Sequence, residues 1–244
     1  MIEVLFEHPW FLVINKPSGV LTQAVPGIDS VQTLLVEQLW SQDRALPKPF
    51  IGMPHRLDRV TSGAMIVARN QRALKRLSDQ FATRVVSKLY HALVPISSDG
   101  SSSIETEAHW RDTMRKVENE PRAELVPPEA EGAKEAILRF REISRHEIST
   151  SNSEDANPQD LHVRLVEIEL ETGRMHQIRL QFSSRNQPIV GDVLYGSPYR
   201  WLGFEPGERE SPIALHAYSI GFRNPQNGEQ ISIQAPYPQG WPLV

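Results

Sequence analysis

An ordinary composition, short apolar runs punctuated by proline and glycine, and a few capped stretches with helical spacing predict a globular protein of mixed α and β structure. Hydrophobic residues make up 39% and charged residues 23% of 244 positions, a balance that lets a water-soluble chain bury a substantial core. No cysteine is present, so disulfides and thiolate metal sites are excluded. The first eight residues lack a basic stretch followed by an apolar run, and no segment approaches membrane-spanning length. A cytoplasmic protein is expected, and a monomer, because no exposed apolar repeat suggests an interface.

Met1 to Phe6 and Trp10 to Ile14 read as strands, joined by a turn at His8-Pro9 and followed by the loop Asn15-Lys16-Pro17-Ser18-Gly19. Lys16 either approaches a phosphate or solvates its turn. Asp29 or Ser30 caps a helix whose core stripe is Val31, Leu34, Leu35 and Leu39. A strand follows from Ala64 to Ala68, then a helix capped by Asn70 with Leu74, Leu77 and Phe81 on its buried face. Ser87 to Val94 reads as a strand in which Lys88 and Tyr90 share one side, opposite Leu89 and Leu93.

Residues 97–132, rich in Ser, Glu and Pro, read as loops and short strands carrying a basic cluster at Arg111, Arg115 and Lys116. Glu135 to Ile143 and Leu161 to Leu170 look like paired strands separated by a mobile polar connection, Ser144 to Asp160. In the second strand the apolar residues change parity, which predicts a bulge near Leu165-Val166. Thr172 is a plausible cap for a helix burying Met175, Ile178 and Phe182. Arg179 lies beside that stripe and so needs an anion, for which Asp58 is the candidate. Ile213 to Ala217, Ser219 to Phe222 and Ile231 to Ile233 close the chain as strands.

The chemistry concentrates in His55-Arg56-Leu57-Asp58-Arg59-Val60-Thr61-Ser62-Gly63. Thr61-Ser62-Gly63 reads as a tight turn that holds Asp58 at the mouth of a strand. An aspartate between two arginines is expected to be ionised and so to serve as a nucleophile or base. Most such pairs are nonetheless solvated or structural, and a salt bridge is the bland reading. The charge distribution points the same way as the motif. The whole chain carries −4, yet residues 99–160 hold 8 Lys and Arg against 15 Asp and Glu, and residues 52–92 hold 8 against 2. A phosphate backbone would meet the second patch, not the total.

The nine-residue string resembles the H-R-L-D-x-x-T-S-G signature of the RluA-type pseudouridine synthases. Further stretches match that pattern in order: Ile14 to Gly19, Lys88-x-Tyr90, Thr172-Gly173-Arg174-x-His176-Gln177-Ile178-Arg179, Gly191-Asp192 with Tyr195-Gly196, and Leu215-His216-Ala217. The resemblance implies a single α+β catalytic domain over residues 1–244, on a long, mixed, mostly antiparallel sheet with flanking helices and a central cleft. It leaves no room for a separate N-terminal RNA-binding domain. It also implies an enzyme that isomerises uridines in ribosomal or transfer RNA, with Asp58 as the catalytic carboxylate, Tyr90 as the active-site tyrosine and Arg179 as the basic residue paired with the acid. Arg56, Arg59, Lys88 and Arg174 are expected to contact RNA. No cofactor is implied, since the isomerisation consumes neither redox equivalents nor phosphate. His55, His176 and His216 lie in matched motifs without metal-ligand spacing and read as hydrogen-bonding scaffold.

Two rival readings stand beside this one. A glycoside or nucleoside hydrolase also works at an anomeric carbon but usually needs a second carboxylate; none stands out near Asp58, and the sequence leaves only Asp192 open. An RNA-binding or chaperone-like module would keep the fold without the chemistry.

Overall fold

The computed structural model describes residues 1–41, 43–96, 105–152, 158–200 and 211–243. In chain order its elements are β1 (Glu3–His8), β2 (Phe11–Lys16), α1 (Val31–Trp40), β3 (Ser62–Ala68), α2 (Gln71–Ala82), β4 (Ser87–Pro95), β5 (Glu107–Lys116), β6 (Ala123–Leu125), β7 (Lys134–Asn152), β8 (Pro158–Leu170), α3 (Gln177–Ser183), β9 (Tyr199–Arg200), β10 (Leu215–Arg223) and β11 (Gln230–Gln234). The expected α+β class holds, with mixed and mostly antiparallel strand pairing. Two compact units share the chain: residues 1–88 with 216–239, and residues 89–215 with 240–244. None of the helices among the described residues is long and apolar enough to cross a membrane.

In the first unit β2 pairs antiparallel with β1 and β3, β3 pairs parallel with β10, and β10 forms a hairpin with β11. β3 is buried along its whole length, as a strand covered on both faces must be. The core here is Phe11, Val13, Ile66, Leu77, Ile220 and Phe222, with Leu74 and Phe81 packed against it. Ser30 rather than Asp29 caps α1, in a capping box with Thr33. Asn70 caps α2 as expected, its side chain accepting from the Ala73 N–H.

The second unit is an antiparallel sheet in which β8 lies between β4 and β7, β5 pairs with β7 and β6, and β9 pairs with the end of β7. Trp110, Phe140 and Phe182 form an aromatic cluster with ring centroids 4.6 to 5.3 Å apart. The basic cluster expected in a loosely structured segment sits on β5; residues 97–104 of that segment lie outside the described residues.

Two expectations are corrected here. The polar stretch from Ser144 onward is not a mobile connection, because β7 continues to Asn152 and pairs with β8 from Ser144↔Leu165 to Ser151↔Pro158. Ile148 and Thr150 alternate into the interior while Glu147 and Ser149 face solvent, a period-two pattern carried by only one strongly apolar residue. Residues 153–157, also part of that expectation, lie outside the described residues. The bulge exists, but on the partner strand: Glu142 pairs with Val166 and Ser144 with Leu165, leaving Ile143 as the extra residue. Thr172 is the second correction. It does not cap α3, whose N-cap position is His176 in the left-handed region at φ 55° with no side-chain cap bond.

Candidate active site

The loop from His55 to Gly63 is fastened along its length by main-chain and side-chain bonds within the first unit. His55 Nε2 accepts the Ile66 N–H at 2.9 Å, and its ring stacks on Phe81 at 4.3 Å. Burial, and then the charge of Lys88, push this imidazole down to about 3, so at neutral pH it is an uncharged acceptor. Leu57 is buried, and its backbone bonds reciprocally with Thr22: the hydroxyl donates to the Leu57 carbonyl at 2.8 Å and accepts its N–H at 3.2 Å. The Thr61 N–H donates to the Asp58 carbonyl at 3.1 Å, closing a turn around Arg59 and Val60.

That turn rests on the Asn15 to Gly19 motif. Lys16 is fully buried, and its ammonium donates to the carbonyls of Pro17, Arg59 and Thr61 at 2.9, 3.0 and 2.8 Å. Ser18 Oγ donates to the Val60 carbonyl at 2.7 Å. Gly19 N–H donates to the Arg59 carbonyl at 2.9 Å, and Arg59 Nε returns a bond to the Gly19 carbonyl at 2.7 Å. Lys16 is therefore neither a phosphate ligand nor a solvated turn residue. Three carbonyl acceptors match the three N–H bonds of an ammonium. Burial opposes that charge and pushes the group down to about 7, with Asp58 drawing it up and Arg59 pressing it further down.

The far end of the loop is tied to β10. Ser62 Oγ lies 2.8 Å from His216 Nδ1, and His216 Nε2 lies 3.2 Å from the Ala235 carbonyl. A carbonyl only accepts, so Nε2 carries a proton and donates to Ala235. Gly63 has φ 118°, and a Cβ there would fall 2.3 Å from the Ala217 carbonyl oxygen. Only glycine permits β3 and β10 to pair at this point. The chain motifs Asn15 to Gly19, His55 to Gly63 and Leu215 to Ala217 thus build one local structure around the turn that carries Asp58.

In the second unit, Tyr90 sits half-buried on β4, paired in register with Ile168 of β8. Arg179, on α3, is buried and makes a two-pronged ion pair with Asp192: Nε to Oδ2 and Nη2 to Oδ1, both 2.7 Å. Asp192 is itself buried. The guanidinium also lies over the Tyr195 ring, 5.1 Å from its centroid, and the Tyr195 hydroxyl bonds the Ala123 N–H and His176 Nδ1. The turn before α3 is organised by Gln177. Its side-chain oxygen accepts from the Arg174 N–H and the Thr172 hydroxyl, and its amide donates to the Ile137 carbonyl. Thr172 spends its hydroxyl on this network, which is why it caps nothing.

Among the expected RNA contacts, Arg56 is exposed, Arg59 is held to Gly19, and Lys88 is half-buried with its ammonium shifted below the usual range by burial and then by Arg84. Arg174 Nε donates to the Glu135 carbonyl, and the residue lines a groove of about 790 Å³ with Lys116 and Lys134. Sequence reasoning left Lys16 undecided and did not assign Asp192 to Arg179, Thr22 to Leu57 or Ser62 to His216. The motif match at Gly191-Asp192 is the only trace of the second of these, and nothing in spacing announces the others.

Comparison with known proteins agrees with this assembly of motifs. Residues 10–184 match the profile of the family described as RNA pseudouridylate synthase. Ribosomal large subunit pseudouridine synthase D of Neisseria meningitidis is 30% identical over 97% of this chain, which spans 58% of that protein's length. The tRNA pseudouridine synthase C of Vibrio vulnificus is 28% identical over 99% of this chain and 93% of its own. Among solved structures, human RNA pseudouridylate synthase domain containing 1 superposes with a TM-score of 0.65 at 25% identity, over 98% of this chain and 84% of that one. The chain belongs to the RNA pseudouridylate synthase family.

Proposed function

We propose that this protein isomerises specific uridines in structured RNA, ribosomal or transfer, to pseudouridine, with Asp58 as the catalytic carboxylate acting on a flipped-out nucleotide. The observation that carries the reading is the tethered turn that begins at Asp58: the Asp58 carbonyl accepts the Thr61 N–H, and the next two carbonyls, of Arg59 and Val60, are held by Lys16, Gly19 and Ser18, so the acid sits on a pre-organised loop, the condition under which a single carboxylate contributes most to catalysis. The reaction breaks the bond from ribose C1′ to uracil N1 and joins C1′ to C5; the proton lost from C5 balances the one gained at N1. Nothing is oxidised or reduced and no phosphate is spent. The target atoms are enclosed in a stacked helix, so the uridine has to leave it. Tyr90 is the aromatic that stacks on the uracil and helps remove the C5 proton, and Arg179 is the basic residue that supports the carboxylate; both roles come from the motifs they occupy. Arg56 or Arg59 holds the displaced backbone or fills the space that the uridine vacates.

The hydrolase reading loses its second carboxylate, because Asp192 is buried and both its oxygens are engaged by Arg179. Two measurements test the proposal. Pseudouridine maps of RNA from cells with and without the gene should differ at one or more uridines; identical maps would sink it. Asp58→Asn should fold as the parent does, bind RNA within a few-fold, and lose at least about 10³-fold in turnover. Release of free uracil by the parent protein would favour the hydrolase instead.

A further inference from the structure

The outer face of α2 carries more positive charge than helix formation favours. Arg72 lies in the first turn, which contains no acidic residue, although a helix N-terminus favours anions and repels cations. Lys75 and Arg76 follow at i+3 and i+4 from Arg72, the spacing at which like charges destabilise a helix. All three are exposed. Asp79 is the one acid on this face, and among the described residues neither Arg72 nor Lys75 is in ion-pair contact with it or with any other acid. Arg76 is partly occupied: its guanidinium donates to the Pro225 carbonyl at 2.6 Å and lies over the Trp10 ring.

At the end of the helix a cation suits the dipole, and the local cost lies in the backbone instead. Val85 N–H donates to the Gln80 carbonyl and Arg84 N–H to the Phe81 carbonyl, the two bonds of a Schellman turn. The residue at its left-handed position is Arg84, at φ 60°, where glycine carries no steric cost. Arg84 is exposed and close enough to Lys88 for its charge to press the Lys88 ammonium downward. A chain that sets one cation against a helix dipole, others beside it and one in a strained backbone position breaks local rules, as chains do where function compensates. Cations kept together with a single acid among them, and no ion pair to it from Arg72 or Lys75, call for an external anion.

We propose that Arg72, Lys75 and Arg84 form a seat for the phosphate backbone of the RNA, outside the nucleotide that reacts. The inference rests on the proposed RNA substrate and adds where that RNA is gripped. Each cation that neutralises one phosphate releases counterions, so affinity carries a salt dependence that can be counted.

The test is binding of an unmodified, fluorescently labelled tRNA transcript to the full chain, measured across a series of KCl concentrations. Arg72→Gln, Lys75→Gln and Arg84→Gly together should lower the slope of log Kd against log salt by about 2 to 3 and weaken binding at least about tenfold near physiological salt. A charge-matched control, Arg111→Gln with Arg139→Gln and Arg141→Gln, should leave the slope unchanged. An unaltered slope in the first variant, or an equal change in both, overturns the proposal. So does a first variant that loses binding only to vesicles containing anionic phospholipid. Arg84→Gly alone should raise Kd while leaving the melting temperature equal or higher; a lower melting temperature with unchanged Kd would make Arg84 structural and remove it from the seat. Turnover is scored separately, on the pseudouridine maps of cellular RNA: a changed slope with identical maps would sink the enzymatic reading only, and altered maps with an unchanged slope would sink this inference only.

Discussion

The unit of residues 89–215 and 240–244 pairs most of its arginines, while the unit of residues 1–88 and 216–239 leaves several without a carboxylate. In the former, Arg111, Arg115, Arg122, Arg139, Arg141, Arg145 and Arg185 each meet an acid. In the latter, Arg44 and Arg69 do so, but among the described residues Arg56, Arg72, Lys75 and Arg84 have no acid in ion-pair contact. Counting basic residues alone would point RNA at either unit. Whether a cation is already answered decides which surface an anion can use, because a phosphate must displace an internal partner in one and only water in the other.

The two units also hold their candidate site residues by different means. Asp58 sits on a loop fixed through backbone carbonyls by an ammonium, hydroxyls and a glycine N–H. Arg179 sits on a helix and is fixed by a buried carboxylate. Breaking the second should cost the most. Asp192→Asn leaves a guanidinium buried beside a neutral amide, and urea denaturation should show a loss of about 3–5 kcal/mol; a loss under about 1 kcal/mol would mean that the pair contributes little to folding. Lys16→Met keeps the apolar stem but removes the ammonium from the carbonyls of Pro17, Arg59 and Thr61, leaving the Arg59 carbonyl with its bond from the Gly19 N–H. It should lose about 2–4 kcal/mol of stability and lower kcat while leaving RNA affinity within a few-fold, because the loop and not the cationic face is disturbed. Unchanged kcat would detach Lys16 from the active turn.

His55 supplies a pH test of the same loop. Its folded value of about 3 lies below the ordinary 6.5, so between these limits the unfolded chain binds a proton that the folded chain refuses. Stability is therefore full above about pH 6.5 and falls as pH drops toward 3, by at most about 1.4 kcal/mol per pH unit from this group. His55→Gln should flatten that part of the stability curve; an equally steep curve would assign the acid sensitivity elsewhere. The smallest effect belongs to the exposed pairs of the second unit. Arg139→Ala, which removes the bond to Glu171 at 2.9 Å, should change stability by no more than about 1 kcal/mol; a larger loss would show that these pairs act as a network.

Local signals told the truth where they were short-range. Asn70 as a cap and the Leu74, Leu77 and Phe81 stripe needed nothing beyond neighbouring residues. The parity change at Leu165-Val166 located the bulge but could not say which strand carries it, since a register slip is a property of the pair. The extension of β7 through Ser144 to Asn152 was hidden because Ser, His and Thr alternate too weakly in polarity to announce a strand; pairing with β8 supplies the order. Thr172 had the right residue type for a cap, and the amide of Gln177 took its hydroxyl instead.

What the sequence determined alone was the set of chemically committed stretches, the family they resemble, and the glycine that Ser62-Gly63 needs, because these follow from residue types and their order. Tertiary structure decided what each polar group does. Lys16 turned from a surface cation into a buried strut, Asp192 from a spare carboxylate into the anchor of Arg179, and His216 into the partner of Ser62 from 154 positions away. A buried charge or hydrogen-bonding group is defined by the partner that offsets its desolvation, and such partners come from parts of the chain that only folding brings near.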